Sequence, residues 1–207
     1  GVFSNQDGVL SCVLSTYGER NSITVDHVTS LHNQAVTYWN FGKEEHWVLT
    51  NNMAVQQSSY PGGMFFGGFW WGGGAWTGTV ESLFIQNNTI EGMHGQAFVI
   101  YDNGLVNRSG DEVIIIDHNT FVNNIAEPRF YRHGNNTLWT NNLFVNQLSG
   151  GQTRNSHNTN LAYNIDHENG HGKIMTGWQS YCADSTLLAD GNCWDPHNRN
   201  INYSNNA

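Results

Sequence analysis

Four residues in this sequence combine side-chain chemistry with close spacing in a way that suggests a reaction site: Arg108, Tyr131, Arg132 and His133. A guanidinium binds a carboxylate through two parallel hydrogen bonds. An imidazole or phenol can take a proton from a substrate atom held within hydrogen-bond reach. Such residues are candidates for binding a ligand and for moving a proton. They sit in two stretches, Tyr101–Asp111 (YDNGLVNRSGD), which also carries Asp102, and Ala126–Gly134 (AEPRFYRHG), which also carries Glu127 and Arg129. A third stretch, 59–78 (SSYPGGMFFGGFWWGGGAWT), sets Phe65, Phe66, Phe69, Trp70, Trp71 and Trp76 among glycines. Flat aromatic faces on a loop suit sugar rings, and they equally suit a protein partner. The remaining reading is a loop folded down on its own outer wall. His157, His167 and His171 are read as structural: Gly170 and Gly172 argue against the helix that a His-x3-His pair needs, and no third ligand is fixed beside them. No metal is expected there.

What must position these stretches is a repeat. Ile116-Asp117-His118-Asn119-Thr120-Phe121 aligns with Trp139-Thr140-Asn141-Asn142-Leu143-Phe144, and the same template appears at Leu49–Val55, at Ile85–Ile90 and, degenerate, at Val25–Leu31. Measured at residues 27, 51, 87, 118 and 141, the steps are 24, 36, 31 and 23 residues. Short apolar strands at this period with no helical pattern between them predict the coils of a single parallel β-solenoid, an all-β fold. All three stretches interrupt the period after the same strand of the template, so the solenoid is expected to carry its loop insertions on one side. Residues 1–178 are read as the solenoid, and 179–207, without periodicity, as an irregular C-terminal cap or linker.

Asn is the residue that recurs at the corner. It tolerates left-handed backbone angles, and its amide both donates and accepts. Asn52, Asn88, Asn119 and Asn142 are therefore expected to turn the corner and to stack as a ladder.

Composition narrows the classes. The sequence has 29 Asn and 23 Gly in 207 residues, 12% charged residues and 13% aromatics, with eight Trp. A disordered chain is poor in aromatics, so this one folds. A net charge of −9 with only Lys43 and Lys173 as lysines argues against nucleic acid. No apolar run is long enough to span a membrane. The near absence of lysine beside abundant Asn, Gly, Thr and aromatics suggests an extracellular or cell-surface location. Sequons occur at Asn87, Asn107, Asn135 and Asn202. Cys182 and Cys193 are spaced to close a small disulfide loop, and Cys12 reads as a buried thiol. The chain opens at Gly1 without a methionine or leader, which reads as a processed or excised piece. No amphipathic helix precedes the first expected coil to cover its strand edges, so end-to-end stacking into a homo-oligomer or filament is expected.

Over roughly residues 20–178 the chain resembles the right-handed parallel β-helix proteins of the pectate-lyase-like superfamily. Locally, Tyr131-Arg132-His133-Gly134-Asn135-Asn136 with Asn142-Leu143-Phe144 resembles the R-H-G-N…N-x-F segment of the alginate lyase and chondroitinase B family, and Asn107-Arg108-Ser109 lies near where that family has N-K-S. The resemblance implies a lysine base at the sugar C5, an arginine acid and calcium held by carboxylates. Here the base position holds Arg108, a poor base. The calcium-binding stretch would fall at Gly95–Ile100 (GQAFVI), which has no acid. The expectation is thus a non-catalytic solenoid without a cofactor, a structural or adhesive module touching a polysaccharide or neighbouring subunits through Phe66, Phe69, Trp70, Trp71, Trp76, Asp102 and Arg129. The alternative is a polysaccharide lyase or hydrolase using Arg108, Tyr131, Arg132 and His133, with calcium.

Overall fold

The structure is a computed structural model, and it describes residues 2–4, 13–32, 36–40, 45–55, 64–67, 80–93, 98–101, 113–124, 129–131, 137–146, 152–154, 160–167, 179–180 and 202–204. The chain begins with β1 (Val2–Ser4) and β2 (Leu14–Thr16). It then winds through β3 (Ser22–Asp26), β4 (Thr29–Leu31) and β5 (Val36–Asn40), then β6 (Glu45–Thr50), β7 (Met53–Val55) and β8 (Met64–Gly67). The next coils are β9 (Val80–Gln86), β10 (Thr89–Glu91) and β11 (Phe98–Tyr101), followed by β12 (Val113–Asp117), β13 (Thr120–Val122) and β14 (Arg129–Tyr131). After them come β15 (Thr137–Thr140), β16 (Leu143–Val145) and β17 (Gln152–Arg154), then β18 (Asn160–Ala162), β19 (Ile165–His167), β20 (Gln179–Ser180) and β21 (Asn202–Ser204).

Every third strand pairs with its counterpart one coil on, always in parallel. This gives three seven-stranded sheets: A (β1, β4, β7, β10, β13, β16, β19), B (β2, β5, β8, β11, β14, β17, β20) and C (β3, β6, β9, β12, β15, β18, β21). The fold is an all-β parallel solenoid, as the repeat predicts. Asp26, Thr50, Gln86, Asp117, Thr140 and Ala162 are register partners along sheet C, so the 24, 36, 31 and 23 residue steps are the lengths of successive coils.

Alternation along each strand decides what faces inward. In β6, Trp47 and Leu49 are buried between partly or fully exposed His46, Val48 and Thr50, and in sheet A the strands β4, β7, β10, β13 and β16 bury their middle residue. Those middle residues form one column, Ser30, Ala54, Ile90, Phe121 and Phe144. The column is small where the other sheets are large: Tyr38, Trp47, Phe65 and Phe66 fill the core of the early coils opposite Ser30 and Ala54. Further along, Phe121 stacks on Phe144 with ring centroids 4.7 Å apart, and Trp139 packs beside both.

Three sequence expectations are revised. Stretch 59–78 is not one loop: β8 lies inside it as a regular strand of sheet B, and Phe65 and Phe66 are both in the core, with Phe66 edge-on to Trp47 at 5.3 Å. Phe66 therefore has no face to offer a sugar or a partner; burying the ring is favoured by the apolar area it removes from water. Likewise Arg129 and Tyr131 belong to strand β14, not to a loop. Finally, sheets B and C continue past residue 178, because β20 pairs with β17 and β21 pairs with β18.

Candidate binding surface

The corner between sheets C and A is the most completely defined surface. Its turning residue is not the ladder asparagine but the residue before it. His27, Asn51, Asn87, His118, Asn141 and Tyr163 all have φ between 54° and 58° and are exposed. Asn and His bear this left-handed geometry at modest cost. After His27 comes Val28; in the five later coils the next residue, Asn52, Asn88, Asn119, Asn142 and Asn164, returns to negative φ and turns its amide into the protein.

There the amides form the expected ladder, one rung longer than the sequence suggested. Oδ1 of each accepts the backbone N–H of the preceding rung: Val28 to Asn52, Asn52 to Asn88, Asn88 to Asn119, and Asn119 to Asn142 at 2.9 Å, then Asn142 to Asn164 at 3.0 Å. Nδ2 donates to a strand carbonyl one coil back, as in Asn88 to Leu49 at 2.8 Å and Asn119 to Ile85 at 2.7 Å. Each rung thus satisfies the backbone groups that the corner removes from the sheet ladders. Asn164 was within reach of the template, since Tyr163-Asn164-Ile165 follows the short strand Asn160–Ala162.

On the outside of the same corner one constellation occurs twice. Asp26 accepts hydrogen bonds from Thr50 Oγ1 and Asn51 Nδ2, both 2.8 Å, and its other oxygen lies 2.7 Å from His27 Nδ1. Asp117 does the same with Thr140 at 2.7 Å, Asn141 at 2.9 Å and His118 at 2.7 Å. Hydrogen bonds from Asn51, His27 and Thr50 hold Asp26 down at about 2. At Asp117 burial pushes upward, but Thr140, Asn141 and His118 outweigh it and the carboxyl is also lowered. Both are acceptors only, so each histidine carries its proton on Nδ1 and keeps Nε2 as its acceptor when neutral. The two clusters are three coils apart, about 14 Å at the usual strand spacing. Nothing in composition announces them, but the D-H-x-T and T-N-N segments one coil apart do. No group of three or more His, Cys, Asp or Glu placed to hold a metal ion occurs among the described residues.

A second polar cluster lies inside. Glu45, fully buried, accepts from Thr16 Oγ1 and Asn21 Nδ2 at 2.6 Å and from Trp47 Nε1 at 3.0 Å. Its carboxylate joins β2, the segment before β3 and β6.

The stretches singled out for binding or catalysis each follow a strand of sheet B. Segments 68–79, 102–112 and 132–136 connect sheet B to sheet C, leaving β8, β11 and β14 at the same end of sheet B. Arg129 is in register with Val99 and Gln152, and Tyr131 with Tyr101 and Arg154. Arg154, not singled out in the sequence, thus joins the row beside Tyr131. Phe69, Trp70, Trp71, Trp76, Asp102, Arg108, Arg132 and His133 lie outside the described residues, as do Cys12, Cys182 and Cys193. No helix is long and apolar enough to cross a membrane among the described residues.

Compared with known proteins, the chain matches no family model, no curated protein and no solved structure at a significant level.

Proposed function

We propose that this chain is a non-catalytic solenoid of the extracellular space or cell surface, a structural or adhesive module that contacts a polysaccharide or neighbouring subunits through the corner between sheets B and C. Its winding is right-handed, like that of the pectate-lyase-like superfamily that the sequence resembles. The observation that carries the reading is the shared exit of segments 68–79, 102–112 and 132–136 from one end of sheet B, beside the register row Tyr101, Tyr131 and Arg154. These segments hold Phe69, Trp70, Trp71 and Trp76 together with Asp102, Arg108, Arg132 and His133. Aromatic faces next to guanidinium groups suit a sugar ring that carries a carboxylate. Successive copies stack end to end through the edge strands of the three sheets, since an unpaired strand edge templates another strand.

The test is a panel of alginate, chondroitin, pectate and heparin, read for binding by titration calorimetry and for cleavage by absorbance of the unsaturated uronate, with and without calcium. Binding without a rising absorbance, weakened at least tenfold by Trp70→Ala with Trp71→Ala, is the expected result. A rising absorbance on any glycan, abolished by Arg132→Ala, would replace this reading with a lyase. If the panel shows neither binding nor cleavage, and electron microscopy of the concentrated protein shows only single particles, the proposal fails.

A further inference from the structure

The corner column contains three asparagines in left-handed geometry, Asn51, Asn87 and Asn141. Two of them are occupied: Asn51 donates its amide to Asp26, and Asn141 donates its amide to Asp117. Asn87 differs because the coil before it presents Thr50 where the others present an aspartate. The Thr50 hydroxyl is itself directed to Asp26. The Asn87 side chain is exposed and makes no hydrogen bond to any described residue. It is also the one of the three followed by x-Thr: Asn87-Asn88-Thr89, against Asn51-Asn52-Met53 and Asn141-Asn142-Leu143. The amide without a described partner and the acceptor motif coincide at one position.

The geometry points to Asn87 as a site of N-linked glycosylation, an inference that rests on the extracellular part of the function proposed above. The donor is a polyprenyl-pyrophosphate-linked oligosaccharide. Asn87 Nδ2 forms a bond to C1 of the first sugar, the bond from C1 to the pyrophosphate oxygen breaks with its electron pair leaving on the pyrophosphate, and one amide proton passes to a base of the transferase. The fold accepts the product. The glycan projects from a convex, exposed corner and displaces no hydrogen bond among the described residues. Asn88, the middle residue of the motif, keeps its place in the ladder with Asn119. The strand ends of β8, β11 and β14, from which the binding segments leave, are at a different corner, between sheets B and C.

The test uses the whole chain, expressed behind a cleavable secretion leader in a eukaryotic host. The protein from cells and medium is treated with a peptide N-glycosidase in heavy-oxygen water, and the peptide spanning Asn87 is read by mass spectrometry. Conversion of Asn87 to labelled aspartate in more than half of the molecules is expected, with complete loss of the label in Thr89→Val, which keeps Asn87 and its corner. Asn87→Asp, which tolerates the same backbone angles, gives the second unglycosylated control and should leave the thermal midpoint of the fold unchanged. An unlabelled wild-type peptide, or a label that persists in Thr89→Val, overturns the inference. Occupied Asn87 with no glycan or subunit binding would remove the functional proposal and leave this one standing; the reverse result does the opposite.

Discussion

Truncating the central rung of the asparagine ladder tests the account of the fold most directly. In Asn119, Oδ1 accepts from the backbone N–H of Asn88 at 2.9 Å and from its amide at 3.0 Å, while Nδ2 donates to Ile85 O at 2.7 Å, Asp117 O at 3.1 Å and Asn142 Oδ1 at 3.0 Å. Asn119→Ala leaves the buried Asn88 N–H without its acceptor and the Ile85 carbonyl without its amide donor. An unsatisfied buried polar group costs about 1–3 kcal/mol, so the variant should lose about 3–5 kcal/mol. Asn52 provides the internal comparison. Its Nδ2 donates to Val25 O at 3.0 Å, but its Oδ1 serves Val28, which is only half-buried and is not itself an asparagine, so Asn52→Ala should lose less, about 1–3 kcal/mol, because water can reach one of the two abandoned groups. Asn119→Asp separates the two halves of the interaction. It keeps an acceptor for Asn88 but sets oxygen against the oxygens of Ile85 and Asn142, so it should be more destabilised at pH 7 than at pH 4, where protonation restores one donor. The assay is urea denaturation of the full chain followed by Trp fluorescence and circular dichroism, comparing midpoints at unchanged slope. A loss below about 1 kcal/mol in Asn119→Ala, or one no larger than that in Asn52→Ala, would refute the view that the ladder is the backbone's replacement for sheet pairing at the corner.

Two further outcomes follow from the polar clusters. Asp26 and Asp117 have depressed values in the fold and ordinary ones, about 3.9, when unfolded, so their contribution is present above about pH 4 and is lost as pH falls through the folded values. The gap in urea midpoint between wild type and the Asp26→Asn, Asp117→Asn double variant should therefore narrow between pH 5 and pH 2 (~3 units spanning both states); a constant gap contradicts the hydrogen-bonded assignment. Glu45→Ala removes the acceptor of Thr16, Asn21 and buried Trp47 at once, which should cost about 2–4 kcal/mol and loosen β2 and β3 first, seen as faster amide exchange there than in β12 and β15.

How much of this was readable in the sequence can be judged residue by residue. The coil lengths were legible because the template repeats its apolar alternation and its Asn at the same step, and alternation is a local property of the strand. The ladder residues followed for the same reason, Asn164 less plainly, because Tyr163 stands before it where the template has His or Asn. The division of labour within the Asn-Asn pairs was not legible. Type alone does not say which of Asn51 and Asn52 takes the left-handed angle; the demand for burial on one side of the corner decides it, because only the second residue can reach the carbonyl one coil back. Phe66 shows the other limit. In a run of glycines and aromatics nothing local marks the four residues of β8 as a strand, and it is the register with Tyr38 and Phe98 that draws them into sheet B.

The sequence by itself determined the class of the protein, an Asn-cornered parallel solenoid, because a period of about one coil and a two-residue alternation are both written along the chain. The tertiary structure alone decided which distant residues became neighbours: Asp26 with Asn51, Glu45 with Thr16, Tyr131 with Arg154. In a parallel solenoid every such contact spans a full coil whose length varies from one turn to the next, so stacking fixes the partner, and no spacing rule within the sequence can.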